Sequence, residues 1–245
     1  VMRPDPALVH EFAPTGELRA AINLGNPVLA QSHTARERPA GVTIDLARRF
    51  GELLGVPVQL LPFETPGASA AAIASGKADI GFLAVDPKRA ESIHFTAPYV
   101  QIEGCYLVRD ASPLQHNDEV DQPGRRIVAG AGSAYALYLA RELRHAQLVE
   151  VPFDNACAAD ALLADPALDA AAGVRQQLLA DLARVPGVRL LPGAFMAIHQ
   201  AMAMPRGRSA AAVDLLESFL AQQRSSAFVR NALARHGMEG VTALA

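Results

Sequence analysis

Short apolar runs alternate with amphipathic stretches along nearly the whole chain, which restricts it to an α/β architecture with largely parallel sheets. Leu18–Leu24 is a strand-like run that ends at Gly25-Asn26-Pro27. Val42–Leu54 reads as a helix: Leu46, Ala47, Phe50, Leu53 and Leu54 recur at helical spacing, with Arg48, Arg49 and Glu52 outward. Gly55 stands where a helix end takes a left-handed residue. Val56–Phe63 follows as a strand, Ser69–Ser75 as a helix closed by Gly76, and Asp79–Ala84 as a strand. Asp86-Pro87 has the form of an N-cap followed by proline at the first helical position.

The second half repeats the pattern. Strands are expected at Arg126–Ala129, Leu148–Val151, Asp169–Ala172, Val188–Leu191 and Gln200–Met204. Helices are expected at Ala134–Leu143, at Asn155–Leu163 behind the cap Asp154, and at Gln176–Leu182. Two more, Ala210–Gln223 and Ser226–Arg235, complete the chain, with Gly237 as the stop.

A chain of 245 residues accommodates two domains. No Pro/Gly/Ser-rich tether divides it, so two lobes would have to be joined by strands that cross between them. Gln101–Val108 and Gln200–Met204 are the candidates. With 51% apolar and 19% charged residues, a large core can be buried. A net charge of −3, with basic residues scattered except for pairs such as Arg48-Arg49 and Arg125-Arg126, argues against nucleic acid. No apolar run reaches the ~18 residues that span a bilayer, and a soluble chain is expected. Val1-Met2-Arg3-Pro4-Asp5-Pro6 shows no signal peptide, and Met2 as a native start would imply a cytoplasmic protein. Cys105 and Cys157 lack the spacing of a zinc site, so the alternatives are two buried thiols or a disulfide.

Three stretches carry candidate binding residues. In Asp86-Pro87-Lys88-Arg89, two cations fall in the first turn of the expected helix, where the macrodipole disfavours them by about 0.3–1 kcal/mol each. Arg89 can therefore face a bound anion beside helix N–H groups, or snorkel into water, or pair with Glu91. Gly130-Ala131-Gly132-Ser133-Ala134-Tyr135 lies between a strand and a helix, where its N–H groups and the Ser133 hydroxyl can hold an anion. It is no dinucleotide fingerprint, because Tyr135 occupies the third glycine position, and no Walker lysine follows. Arg175 follows the strand Asp169–Ala172, which leaves it either at a ligand or in solvent.

Catalytic readings find less support. His10, His33, His94, His116, His145, His199 and His236 sit in no catalytic motif, and Ser133 lacks the Gly-x-Ser-x-Gly elbow. No cofactor and no metal are expected.

Five stretches, in the right order and at nearly the right intervals, resemble the family 3 extracellular solute-binding proteins, the amino-acid-binding components of bacterial ABC importers. They are Gly41-Val42-Thr43-Ile44-Asp45-Leu46-Ala47, Ser75-Gly76-Lys77-Ala78-Asp79, Asp86-Pro87-Lys88-Arg89-Ala90, Phe95-Thr96-Ala97-Pro98-Tyr99 and Gly132-Ser133. The resemblance runs from Leu18 to about Arg235. It implies a type II periplasmic-binding fold: lobe 1 from residues 1–103 plus 201–245, lobe 2 from 104–200, each a mostly parallel sheet flanked by helices. It also implies that Arg89 clamps a ligand carboxylate, that Gly132-Ser133-Ala134 meets the same carboxylate, and that the Asn26-Pro27-Val28 turn lies along the ligand. A small-molecule anion, an ABC permease, a monomeric state and a periplasmic location complete what it implies.

The chain departs from the family pattern at two places. Phe82-Leu83-Ala84-Val85 replaces small polar residues, which makes Phe82 and Ala84 part of an expected apolar wall. The family's amine-binding aspartate falls near Val174, with Arg175 beside it, so an α-ammonium would lose its ionic partner. A carboxylate without an amine is therefore the expected ligand, with a second acidic group if Arg175 faces it. The alternatives are an enzyme on the same fold, similar to the cyclohexadienyl dehydratases, or a ligand-sensing domain.

Overall fold

The computed structural model describes residues 4–32, 38–154 and 158–245. Helix α1 (Pro6–Phe12) is followed by β1 (Leu18–Asn23), α2 (Val42–Leu54), β2 (Val58–Phe63), α3 (Pro66–Ala74), β3 (Ile80–Ala84), β4 (Ile93–Phe95) and β5 (Val100–Arg109). Next come β6 (Arg126–Gly130), α4 (Ala134–Glu142), β7 (Gln147–Val151), α5 (Ala158–Ala164), β8 (Ala170–Val174), α6 (Arg175–Arg184), β9 (Val188–Leu190) and β10 (Met196–Pro205). The chain closes with α7 (Ala210–Ser225), α8 (Phe228–Arg235) and β11 (Thr242–Ala243).

Two compact units divide these elements: Val1–Gln101 with His199–Ala245, and Ile102–Ile198. The chain passes from one to the other within β5 and again within β10.

In the first unit the strand order is β2-β1-β3-β10. Strands β1, β2 and β3 run parallel, and β10 returns antiparallel with Gln200 opposite Ala84 and Met202 opposite Phe82. Helix α2 forms as its periodicity predicts, and Gly55 ends it at φ +72°. Gly41 precedes it because a Cβ there would stand 2.4 Å from the Leu29 carbonyl oxygen. One face of the sheet packs Ala21, Leu83 and Ala203 against Ile73 of α3. Phe12, Phe50 and Phe219 tie α1, α2 and α7 together through ring centroids 5.0 and 4.9 Å apart. Fully buried Asp79 is neutralised by Arg19, whose Nε and Nη2 donate to its two oxygens at 2.9 and 2.8 Å.

In the second unit the order is β5-β8-β6-β7, with β6 parallel to both β7 and β8. Its faces alternate residue by residue, as a pleated strand requires. Tyr106, Ile127, Ala129 and Ala172 join Ala136 and Leu139 of α4 on one side. Cys105, Leu107, Val128 and Ala171 join Leu162 of α5 and Leu178 of α6 on the other. Both faces are covered, which explains why these strands read as continuous apolar runs.

One expected element is absent. The α-helix predicted after Asp86-Pro87 does not form; the chain makes a 3-10 turn at Arg89–Glu91 and enters β4 at Ile93. The antiparallel ladder of β4 with β10, Ile93 to Pro205 and Phe95 to Ala203, claims the residues that a helix would have needed. The start expected for a helix at Asn155, and the pairing considered for Cys105 with Cys157, lie outside the described residues. Cys105 itself is buried, its thiol donates to the Gly193 carbonyl at 3.4 Å, and burial pushes its pKa up to about 11.

Candidate functional site

Each unit is a small doubly wound sheet, and each has its own topological switch point, where α/β folds collect ligands at the carboxyl ends of strands. In the first unit the chain leaves β1 for β2 on one side and returns to β3 on the other. The crevice is therefore at the carboxyl ends of β1 and β3, where the sequence places Asn26 and Arg89. In the second unit β6 is flanked by β7 and β8, which puts the crevice at Gly130–Tyr135 and Val174-Arg175.

After β1 the chain turns on asparagines. Asn23 Oδ1 accepts from the Gly25 N–H at 2.9 Å, and Asn26 Oδ1 accepts from the Val28 N–H at 3.1 Å. The Asn26 carbonyl accepts from Leu29 and Ala30, so the residue holds a compact turn. After β3, Asp86 Oδ1 accepts from the N–H groups of Lys88 at 2.8 Å and Arg89 at 3.4 Å. That cap folds the chain back so that Arg89 Nη1 donates to the Ala84 carbonyl at 3.0 Å.

Arg89 is only 7% exposed, and Glu91, a partner considered from sequence, is exposed. Burial pulls the Arg89 pKa down to about 10, with Asp86 acting in the opposite direction. A guanidinium so desolvated gains from a carboxylate beside it. Phe82 and Ala84 are buried in the unit, and Val85 is the exposed member of that apolar stretch, at 44%.

In the second unit Gly132 adopts φ +76°, and Ser133 caps α4. The Ser133 hydroxyl donates to the Gly130 carbonyl at 2.7 Å and accepts from the Ala136 N–H at 3.1 Å. Gly130 lies under Phe153, whose Cδ2 would be 2.8 Å from a Cβ at that position. Tyr135 shares a cavity of about 30 Å³ with Gly130, Val151, Pro152, Asp154 and Ala172. Burial pushes its phenol up to about 12, and a hydrogen bond with Ser133 acts against the shift.

Arg175 is engaged. Its Nε lies 2.5 Å from Glu103 Oε2 and its Nη2 donates to the Gly193 carbonyl at 2.8 Å. Gly104 is in register with Val174, so strand alternation puts Glu103 on the opposite face of the sheet from Val174. Glu103 was missed in the sequence, although a lone acid within the apolar run 100–108 was the available signal.

Three of the histidines pair with neighbours: His94 with Glu217 at 3.7 Å, His236 with Asp45 at 2.8 Å and His199 with Gln101 at 3.1 Å. Among the described residues no group of three or more His, Cys, Asp or Glu side chains is placed to hold a metal ion.

The model of the bacterial extracellular solute-binding proteins, family 3, matches residues 18–236. The chain belongs to that family. Its fold is the type II periplasmic-binding fold, as solved structures of low identity show. An amino acid ABC transporter substrate-binding protein, AbpA, from Streptococcus pneumoniae bound to L-arginine superposes with TM-score 0.74 at 19% identity, covering 92% of this chain and 96% of that one. A histidine kinase sensor domain with similarity to periplasmic binding proteins gives 0.75 at 20% identity, covering 93% and 97%. An ancestral amino acid-binding protein described as a precursor of cyclohexadienyl dehydratase gives 0.73 at 18%, covering 93% and 97%. No curated protein matches the chain.

Proposed function

We propose that this family 3 protein is a non-catalytic periplasmic binding protein that captures a small organic carboxylate by hinge closure and delivers it to an ABC permease. The observation that carries this reading is Arg89: a buried guanidinium, lowered in pKa by burial, at the switch point of the first unit. It receives the carboxylate. Asn26 lies along the ligand, and Val85 supplies the apolar wall. Gly132, Ser133, Ala134 and Tyr135, at the start of α4, meet the ligand from the second unit when the two close. Closure follows from ligand contacts that exist in full only in the closed state.

Arg175 enters only for a ligand with a second acidic group strong enough to compete with Glu103. The solved neighbours include a precursor of a dehydratase. Dehydration would need an acid at the reacting carbon, whereas Asp86 is held by two N–H groups and Glu103 by Arg175; Asp154, in the second unit's cavity beside Tyr135, is the residue to replace if turnover is seen. No turnover of prephenate by the purified protein is expected.

A thermal-shift screen of small carboxylates and the matching α-amino acids tests the proposal. A ligand at a hundred times its dissociation constant adds about 2.7 kcal/mol, a visible rise in midpoint. Carboxylates are expected to stabilise more than amino acids of the same skeleton, because Val174 offers an ammonium no ionic partner. A tenfold preference for the amino acid would reverse that assignment.

A further inference from the structure

Gln200 stands on β10 directly opposite Ala84, so the two side chains leave the sheet on the same face. The Ala84 carbonyl is the one to which Arg89 donates. Gln200 is 3% exposed, and its Oε1 has no hydrogen-bond partner among the described residues. Its main-chain carbonyl is occupied, accepting from the Tyr99 N–H at 2.8 Å. The fully buried Tyr99 hydroxyl also lacks a partner among the described residues, so it and the amide oxygen do not satisfy each other. An orphaned amide acceptor is costly inside a protein, and this one stands across the ladder from Ala84, the residue whose carbonyl accepts from Arg89 at the switch point.

We propose that Gln200 is a ligand contact of the first unit, one that selects carboxylates bearing a neutral hydrogen-bond donor, a hydroxyl in particular. This rests on the reading that Arg89 holds the carboxylate. The division of labour follows from charge. Arg89 supplies the counter-ion, and Gln200, neutral and with an Oε1 acceptor that lacks a donor, takes the donor on a neighbouring carbon. An ammonium fits less well: a neutral amide cannot offset a buried positive charge, and the nearby Asp86 carboxylate already accepts from Lys88 and Arg89. The ligand class so defined is the hydroxycarboxylates.

The test is a calorimetric titration of wild type, Gln200→Met and Arg89→Ala with three probes of one skeleton: 4-methylpentanoate, 2-hydroxy-4-methylpentanoate and L-leucine. Lactate, propanoate and L-alanine form a second, smaller set. Wild type is expected to bind a hydroxy acid about tenfold more tightly than its plain counterpart. Gln200→Met should bring the two within about threefold. An absent hydroxyl preference, or one that survives Gln200→Met, overturns the inference. Undiminished binding of the plain acid by Arg89→Ala instead overturns the anchor reading and leaves the Gln200 comparison legible. A ligand-free arm decides the matter where no probe binds. Met keeps the unbranched length and removes the orphan, so the unfolding midpoint should rise by about 2–4 °C. A fall in midpoint would mean that the amide is already satisfied in the free protein, and the inference fails.

Discussion

At the scale of single residues, the informative groups are those that burial has moved off their ordinary titration. Arg89 has its pKa lowered to about 10 by burial. Anion affinity that depends on the protonated guanidinium should be flat below that value and fall as pH rises through it. Binding measured from pH 7 to about 11 checks this, and a flat profile throughout would detach affinity from Arg89. Asp181 is moved the other way: its side chain is buried and its carboxyl is raised, chiefly by burial, with Arg184 opposing. Its Oδ2 has no partner among the described residues. A raised carboxyl means that the folded state holds the proton longer than the unfolded state. Stability therefore falls as pH rises from the unfolded value near 3.8 through the raised folded value. Asp181→Asn should flatten that fall in denaturation midpoints across the acid range. An unchanged slope would contradict it.

At the scale of elements, the start of α4 concentrates the consequences. Ser133 is 1% exposed and links the Gly130 carbonyl to the Ala136 N–H. Ser133→Ala should cost about 0.5–2 kcal/mol of stability, measured by urea denaturation, and Ser133→Gly less. Elements such as α2 and α4 were legible in the sequence for local reasons, α2 through its periodicity and the terminal Gly55, α4 through the glycine turn and Ser133 that precede it. Reading the 3-10 turn at Arg89–Glu91 as an α-helix failed for the opposite reason. The local signal was real, since Asp86 does cap the turn, but β4 takes the following residues into a ladder with strand residues 203–205 far away in sequence. The same limit hid Gln200 and the Glu103–Arg175 pair. Each depends on which residue of one strand lies opposite which residue of another, and a single sequence does not print register.

At the scale of the whole molecule, each unit carries a complete switch-point crevice, and the chain crosses between the units only within β5 and β10. Hinge closure predicts a smaller radius of gyration by small-angle scattering when ligand is saturating. An unchanged profile with binding confirmed would indicate closure before the ligand arrives. The most direct test of the account is a titration of the carboxylate found by screening into wild type and Arg89→Ala side by side. Loss of a buried bidentate partner predicts weaker binding by about 2–4 kcal/mol, with Arg89→Lys unable to restore it. Binding by Arg89→Ala within threefold of wild type would contradict the assignment of Arg89 as the anchor.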